Sequence, residues 1–357
     1  MNFILCADLH LKETEKEYSF SVLGEIAGLC KKNNSGALLL AGDVFDSREE
    51  IKSLRTDFRA ALDLLPDSCQ VYFLPGNHEE LRAKDTEDLE SFDFGRAKLL
   101  AAKPWSLHDL DADTELLAVP FQKDYRDYRD WEIPRKKKAM RILLAHGTVM
   151  GMAYTGPGEE TDSIIDEDMI TFFQADLAAI GHLHKYSDTD RKNYRIIYPG
   201  SARVWREGEE GKRCVLLGNT GTVPVRLEPL FLTSAGEYRV IPVFATPEGE
   251  LCADIPKDIS PADWLCLDLT GVVEEEPPVL AALEKLKTEL EKKCRKVSAG
   301  TEKLSVLAGV STHPLAGRFL RKWEEAAHSY KDEEPGVYEQ ARLRGLLALK
   351  DVLEKRK

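Results

Sequence analysis

The segment Phe3-Ile4-Leu5-Cys6-Ala7-Asp8-Leu9-His10 places five apolar residues directly before two polar ones, an aspartate and a histidine. A short apolar run that ends abruptly at polar residues is typical of a buried β-strand. Six similar runs follow, and each stops at a Gly, a Pro or a His. These runs are Ala37–Ala41, Val71–Leu74, Leu116–Val119, Ile142–Ala145, Leu177–Ile180 and Ile196–Tyr198. The first part of the chain is therefore predicted to form a series of buried strands.

Amphipathic stretches separate the first three of these runs. Phe20–Leu29 and Leu54–Leu65 both have apolar residues at helical spacing. Alternation of strands and helices predicts an α/β fold with right-handed crossovers and a sheet that begins largely parallel. Ligands of such sheets bind where the carboxyl ends of the strands meet the following loops. The polar residues that follow the runs are therefore expected to meet in one place.

Length, charge and composition limit the class of protein. A chain of 357 residues suggests two or three domains. The formal net charge of −13 argues against a surface coated in phosphate-binding cations, although bound divalent metals can supply local positive charge for a nucleic-acid substrate. The chain has seven scattered cysteines and no secretory signal at the N-terminus, which predicts a cytoplasmic protein. It has no long apolar run, so no membrane span is expected.

The histidines are concentrated at the ends of the strand-like runs. Five of the eight occur there, and two aspartates and one asparagine accompany them. One histidine after a strand is usually structural, but this combination predicts a metal site. The candidates are Asp8, His10, Asp43, Asn77, His78, His146, His182 and His184. Imidazole, carboxylate and amide ligands without cysteine suit Mn, Fe, Zn or Ni.

Asp43 is the natural candidate to bridge two such cations. A shared carboxylate can hold two metals about 3.5–4 Å apart, and Gly42 before it permits a close approach of the backbone. Two dications with the carboxylates of Asp8 and Asp43 would leave net positive charge for a phosphate.

The ordered blocks D-x-H, G-D, G-N-H-[D/E], H and G-H-x-H resemble the signature of the calcineurin-like metallophosphoesterases. This resemblance implies a four-layer αββα sandwich with a small C-terminal α/β cap and C-terminal helices. It assigns Asp8, His10 and His184 to a first metal, and Asn77, His146 and His182 to a second, with Asp43 bridging. His78 would contact the phosphate and protonate the leaving oxygen, and Glu79 would orient His78.

Further motifs resemble one branch, the DNA double-strand-break nucleases that include the SbcD-like subunit. These motifs are Gly42–Ser47, Val119–Phe121 and Tyr198–Ser201 with Arg203. The branch implies a Mn²⁺-dependent DNA exo/endonuclease that uses a two-metal-activated hydroxide. Its partners would be DNA, an SMC-like coiled-coil ATPase (SbcC-like) and a second copy in a homodimer.

Alternatives remain open for the activity and for two residues. Ser201 and Arg203 are candidates for substrate binding, and structural ion pairing is the alternative for Arg203. The alternative activity is that of a phosphatase or a small-molecule or nucleotide phosphodiesterase. A binding scaffold without activity is disfavoured because every expected ligand is present.

The resemblance and the changes in composition predict three regions. They are a nuclease domain at 1–225, a cap at 226–305 and a C-terminal helical segment at 306–357. The last helix, with apolar residues such as Tyr338, Leu346 and Val352, either docks a partner or packs on its own domain. A Gly-rich, acidic segment at 147–163 predicts a long mobile loop.

Overall fold

The computed structural model describes residues 1–80, 88–122, 125–152, 164–222, 224–246, 249–307, 309–310, 313–333 and 335–355. The chain forms two compact units, Met1–Glu237 and Tyr238–Lys357. The predicted mobile loop lies outside the described residues from position 153 onwards. Among the described helices, none has the length and apolar character needed to cross a bilayer.

The described residues of the first unit form fifteen strands and four α-helices. The strands are β1 (Asn2–Cys6), β2 (Ser35–Ala41), β3 (Gln70–Leu74), β4 (Ala97–Leu99), β5 (Ser106–Asp109), β6 (Thr114–Val119), β7 (Met140–His146), β8 (Thr148–Val149), β9 (Ile164–Ile165), β10 (Leu177–Gly181), β11 (Ser187–Asp190), β12 (Arg195–Tyr198), β13 (Gly211–Lys212), β14 (Cys214–Asn219) and β15 (Arg226–Phe231). The helices are α1 (Lys16–Lys32), α2 (Arg48–Leu62), α3 (Asn77–Glu80) and α4 (Glu167–Phe172). Short 3₁₀ turns occur at Glu13–Glu15, Leu89–Ser91 and Arg126–Asp130.

Two six-stranded sheets pack face to face in this unit. The first has the order β15-β14-β1-β2-β3-β4, and the second has the order β11-β12-β10-β7-β6-β5. The inner strands of each sheet are parallel. Strands β14 and β15 at one side of the first sheet, and the edge strands β11 and β5 of the second, pair antiparallel with their neighbours, whereas the edge strand β4 is parallel to β3. Alternate residues of the inner strands, such as Leu5 and Leu39 from one sheet and Leu144 from the other, form the core between the sheets.

Helices cover the outer faces of both sheets. Residues that point away from the central core in the first sheet, such as Leu38, pack with Val22 of α1 and Phe58 of α2. The outer face of the second sheet packs with α4, where Met169 and Phe173 meet Leu143. The predicted four-layer αββα sandwich is therefore confirmed.

The observed elements differ from the predicted ones at their ends, and helix α2 stops at Leu62 where Leu65 was predicted. Each of the seven predicted strands is present, and the two predicted helices are longer at their N-terminal ends, as α1 and α2. Helix α2 begins earlier because the Ser47 side chain accepts a hydrogen bond from the Glu50 amide at 3.3 Å and caps the first turn. The edge strands β4, β5, β11 and β15 were not predicted, and neither was β14, which lies between β15 and β1.

In the part of the second unit that the structure describes, the chain forms a small sheet and three α-helices. Its strands are β16 (Glu237–Ala245), β17 (Leu251–Ala253), β18 (Trp264–Val273) and β19 (Lys296–Val306), and its helices are α5 (Glu276–Leu290), α6 (Pro314–Glu333) and α7 (Pro335–Glu354). Strands β16, β18 and β19 are parallel neighbours, and β17 pairs antiparallel with β16. Helix α5 packs on the sheet through Val279 and Leu283.

The first unit ends at Glu237, whereas 225 was the predicted end of the nuclease domain. The difference arises because β15 pairs with β14 along its whole length and so completes the first sheet. The division between a cap at 226–305 and a helical segment at 306–357 stays a prediction, although α6 and α7 do follow the small sheet in that order.

Candidate metal centre

The predicted site residues come from both sheets. Asp8 follows β1 and Asp43 follows β2, while Asn77 begins α3 just after β3. His146 ends β7, and His182 follows β10 in the second sheet. We expected these residues to meet at one edge of a single sheet. They instead follow strands of two sheets, whose packing brings the strand ends together.

One set of donor atoms consists of Asp8, His10 and His184. All three residues are buried, and their ligand atoms lie within 4.8 Å of one another. The Nε2 atoms of His10 and His184 are only 3.1 Å apart. Two imidazole nitrogens that face each other can share only one proton, so a cation between them would satisfy both lone pairs.

A second set consists of Asp43, His146 and His182, again within 4.8 Å. The Asn77 Oδ1 atom joins it, at 2.9 Å from His146 Nε2 and 3.1 Å from His182 Nδ1. Asp43 Oδ2 lies 3.3 Å from His146 Nε2. Carboxylate, amide oxygen and imidazole are donors that first-row divalent metals accept, so both sets fit metal binding.

Burial and charge together set the protonation of these groups. Burial raises the pKa of Asp8 to about 6, and the charge of Asp43 adds to this rise. Burial opposes charge on His146, but the carboxylates of Asp43 and Asp8 raise its pKa to about 9. Burial and the charge of His78 lower the pKa of His10 well below its usual range. A bound cation would stabilise buried carboxylates and imidazoles that lie beside one another.

The backbone is strained at several of these positions. Asp8, His10, Asp43 and His182 have φ angles of 53°, 44°, 50° and 102°. These four are among only six described non-glycine residues with positive φ. Such conformations cost on the order of 1–3 kcal/mol each and persist where the surrounding structure imposes them, commonly at functional sites.

Glycines allow the ligand loops to approach closely. A Cβ atom on Gly42 would lie 2.1 Å from His146 Nδ1, and one on Gly76 would lie 2.2 Å from Asp43 Oδ1. Gly42 also has a φ of 90°, which disfavours any other residue. The prediction that Gly42 serves a close approach is confirmed, and its neighbour in space is His146.

His78 is oriented by a backbone group. Its Nδ1 lies 2.7 Å from the Asp46 carbonyl oxygen, and its amide donates to Asp43 Oδ1 at 2.9 Å. Because a carbonyl can only accept, Nδ1 carries a hydrogen, and Nε2 is directed to within 3.9 Å of Asp43 Oδ2. His78 thus lies beside both donor sets with one ring nitrogen free for other contacts.

The predicted orienting role of Glu79 is wrong. Its carboxylate accepts hydrogen bonds from the amides of Asp43, Phe45 and Gly76 at 3.2, 2.8 and 2.8 Å. Glu79 therefore braces the loop that carries Asp43. Burial and the charge of Asp43 raise its pKa to about 8, against the hydrogen bonds from Phe45 and Gly76.

The predicted substrate contact of Arg203 is also wrong, because its side chain is buried in structural contacts, whereas the predicted contact of Ser201 stays a prediction. Ser201 Oγ donates to the Arg203 carbonyl at 2.7 Å. The Arg203 guanidinium is fully buried and binds Glu15 and Ser19, each at 2.8 Å. The alternative of structural ion pairing therefore applies to Arg203.

Sequence reasoning missed three residues that touch the site: Asp46, Trp205 and Glu209. Trp205 stacks on His10 with ring centroids 4.2 Å apart, and Glu209 Oε1 lies 2.5 Å from His184 Nδ1. Asp46 lies inside the Gly42–Ser47 motif, which was a usable signal. Trp205 and Glu209 follow the last motif in a polar loop and carried no pattern that pointed to the site.

Replacement of Glu79 by alanine is expected to lower stability and metal affinity together. Up to three buried backbone amides would lose their acceptor, at about 1–3 kcal/mol each where water cannot replace it. Thermal unfolding with and without Mn²⁺ would measure the effect. Glu79→Gln, which keeps an acceptor oxygen, should lose less, and equal melting temperatures for Glu79→Ala and the unmodified protein would contradict the bracing role.

Solved structures that match the chain have low sequence identity to it. An archaeal phosphodiesterase is 13% identical with a TM-score of 0.36, and the match covers 64% of this chain and 100% of that one. A dimetal phosphatase from Danio rerio is 10% identical, with a TM-score of 0.41 and coverage of 65% and 98%. Purple acid phosphatase PPD1 from seeds of yellow lupin (Lupinus luteus) is 15% identical, with a TM-score of 0.43 and coverage of 67% and 52%.

A search of curated proteins finds no match. The family model for the calcineurin-like phosphoesterases matches residues 1–186. That match spans β1 to the loop after β10, and so it includes every residue of the two donor sets. The chain therefore belongs to the calcineurin-like phosphoesterase family of metal-dependent hydrolases.

Proposed function

We propose that the chain is a two-metal phosphodiesterase that cuts DNA, with Mn²⁺ as its metal. The observation that carries the proposal is the pair of donor sets that meet around Asp43, with His78 beside them. The charge of Asp43 acts on Asp8 and His10 as well as on His146, so one carboxylate lies within electrostatic reach of both sets.

Each donor set would hold one cation. Asp8, His10 and His184 would bind the first, Asn77, His146 and His182 the second, and Asp43 would be shared. Bound divalent cations supply Lewis acidity to phosphoryl oxygens and make water a better nucleophile at neutral pH.

His78 would act on the leaving group. Its Nδ1 hydrogen is committed to the Asp46 carbonyl, so Nε2 is the nitrogen that faces the reacting groups. In the charged imidazolium form, Nε2 can donate its proton to the departing oxygen. The fixed ring removes the entropic cost of orienting the acid during the reaction.

The proposal of DNA as substrate rests on the branch motifs, whose residues contact the site histidines or brace their loops. Asp46 fixes His78, and the ring of Phe121 lies 6.5 Å from that of His146. The Tyr198 hydroxyl donates to the Gly147 carbonyl at 3.0 Å and so braces the loop after His146. The motifs that resemble the nuclease branch therefore contain residues that contact or brace the metal centre.

A cavity of about 670 Å³ beside His184 adds support for a diester. Its lining includes Lys185, Lys212 and the exposed ring of Tyr186, together with acidic residues. Space with cations and an aromatic ring next to the metal centre suits a substrate that continues beyond the reacting phosphate.

We also propose the SMC-like ATPase as partner. In α7, Tyr338 and Leu346 are buried in the second unit, so these predicted docking residues pack on their own domain. Val352 is 48% exposed and remains available. Co-purification of the two chains, with and without Val352→Asp, would test this proposal.

Purified protein with Mn²⁺ is expected to degrade end-labelled duplex DNA and to hydrolyse a small phosphodiester faster than the matching monoester. Asp43→Ala should abolish each activity because the shared carboxylate is lost. Turnover of the monoester alone would favour the phosphatase alternative and overturn the nuclease proposal. Full activity of Asp43→Ala would remove the bridging role.

His78→Ala is expected to retain both metals and to lose about 10²–10⁴-fold in turnover, the usual contribution of a general acid. The loss should be smaller for a diester with a good leaving group, such as a nitrophenyl ester, because that oxygen needs no proton. Loss of a bound metal, measured by calorimetry, would instead make His78 a ligand.

Mn²⁺ binding is expected to release protons. The pKa of His146 is raised to about 9 in the metal-free protein, so its ring is charged at neutral pH and must lose a proton to bind metal. The apparent affinity should therefore rise between about pH 6 and about pH 8, by up to about tenfold per pH unit. Calorimetry in buffers of different ionisation enthalpy measures the release, and a binding heat independent of the buffer would contradict it.

A further inference from the structure

The histidines at the metal centre are held in different ways. Nδ1 of His146 lies 2.9 Å from the Ala41 carbonyl, and Nδ1 of His78 lies 2.7 Å from the Asp46 carbonyl. Nδ1 of His184 is bound by the Glu209 carboxylate. Nδ1 of His10 is buried and has no hydrogen-bond partner among the described residues, with Asp46 Oδ1 at 3.6 Å. No hydrogen bond at Nδ1 therefore fixes the plane of the His10 ring.

Trp205 supplies that constraint. Its indole lies on His10 with an interplanar angle of 14° and a centroid distance of 4.2 Å. The same indole meets the rings of His78 and His184 edge-on, at 5.4 and 5.2 Å. One aromatic plane therefore contacts three of the site histidines and limits how each of them can turn.

Trp205 is itself anchored at both ends. Its Nε1 donates to Asp46 Oδ1 at 2.7 Å, and its amide donates to Glu209 Oε2 at 2.9 Å. The other oxygen of Glu209 binds His184 Nδ1. One carboxylate thus connects the His184 ring to the segment that carries the indole.

Glu209 has little freedom to move. Its side chain is only 7% exposed, and Arg206 and Arg213 lie 3.6 and 3.9 Å from its oxygens. Because a carboxylate can only accept, Nδ1 of His184 carries the hydrogen, and this contact directs Nε2 towards Nε2 of His10.

We propose that Trp205 and Glu209 are positioning residues for the first donor set, which direct Nε2 of His10 and Nε2 of His184 onto one cation. This inference rests on the proposed metal centre but does not depend on the substrate. The second donor set has its own support from the Ala41 carbonyl, so loss of Trp205 or Glu209 should affect one of the two cations.

The test is calorimetric titration of the full-length, metal-stripped protein with Mn²⁺ alone. Trp205→Ala and Glu209→Ala are expected to weaken one of the two sites about 10–100-fold and to leave the other unchanged. Trp205→Phe keeps a stacking ring and should retain most of the affinity. Trp131→Ala is the matched control, because Trp131 stacks on Phe173 at 5.9 Å in the outer layer of the first unit.

Fluorescence gives a second readout that needs no activity. Mn²⁺ beside His10 should quench the emission of Trp205, so the quenching seen in the unmodified protein should largely disappear in Trp205→Phe. Trp205→Phe and Glu209→Gln keep the test valid if an alanine variant fails to fold.

Three outcomes would overturn the inference. The first is wild-type affinity at both sites in folded Trp205→Ala and Glu209→Ala, and the second is equal quenching with and without Trp205. The third is an unmodified protein that binds no Mn²⁺, which would overturn the proposed function as well. Binding of two ions without cleavage of DNA would sink only the nuclease proposal and leave the roles of Trp205 and Glu209 intact.

Discussion

Burying carboxylates and imidazoles together at the ends of its strands costs free energy, and this cost constrains the structure of the first unit. Asp8 and Asp43 are out of contact with solvent, and four histidines in the same space are at least nine-tenths buried. Without compensation, such groups would shift to their neutral forms or open the structure to water. Here they compensate one another, and the carboxylates of Asp43 and Asp8 raise the pKa of His146 to about 9 although burial opposes its charge.

The apolar core makes this arrangement possible. The two sheets pack through residues such as Leu39 and Leu144, and this contact fixes where the strands of each sheet end. Four site residues then adopt positive φ angles in the short turns after those strands. This backbone strain persists because the packed sheets fix both ends of each turn and so restrict its conformation.

Much of the fold could be predicted from the sequence because the inner strands are continuous apolar runs that stop at turn residues. The edge strands were not predicted because they are not continuous apolar runs. Strand β15, with the sequence RLEPLF, mixes polar and apolar residues and contains a proline, as edge strands tolerate. Its membership of the first sheet is decided by pairing with β14, a tertiary contact that local sequence does not encode.

The site divides in the same way. The candidate ligands were predictable because each follows a buried run, and the structure brings all seven together. The contacts that orient these ligands could not be predicted. The carbonyls of Ala41 and Asp46 belong to the backbone, and every residue type has such a group. The family resemblance assigned Glu79 to the orientation of His78, and Arg203 was a candidate for substrate binding, whereas both buried side chains make structural contacts.

The two donor sets differ in the groups that orient their histidines. His146 is held by a main-chain carbonyl of a buried strand, which no side-chain substitution removes. His10 and His184 are held by an indole and a carboxylate from one loop, which a single substitution can remove. The geometry of the first set can therefore change through Trp205 or Glu209 while the fold and the second set stay intact. In a family whose members share one core and differ in substrate, such a loop is a means of adjusting one metal without disturbing the other.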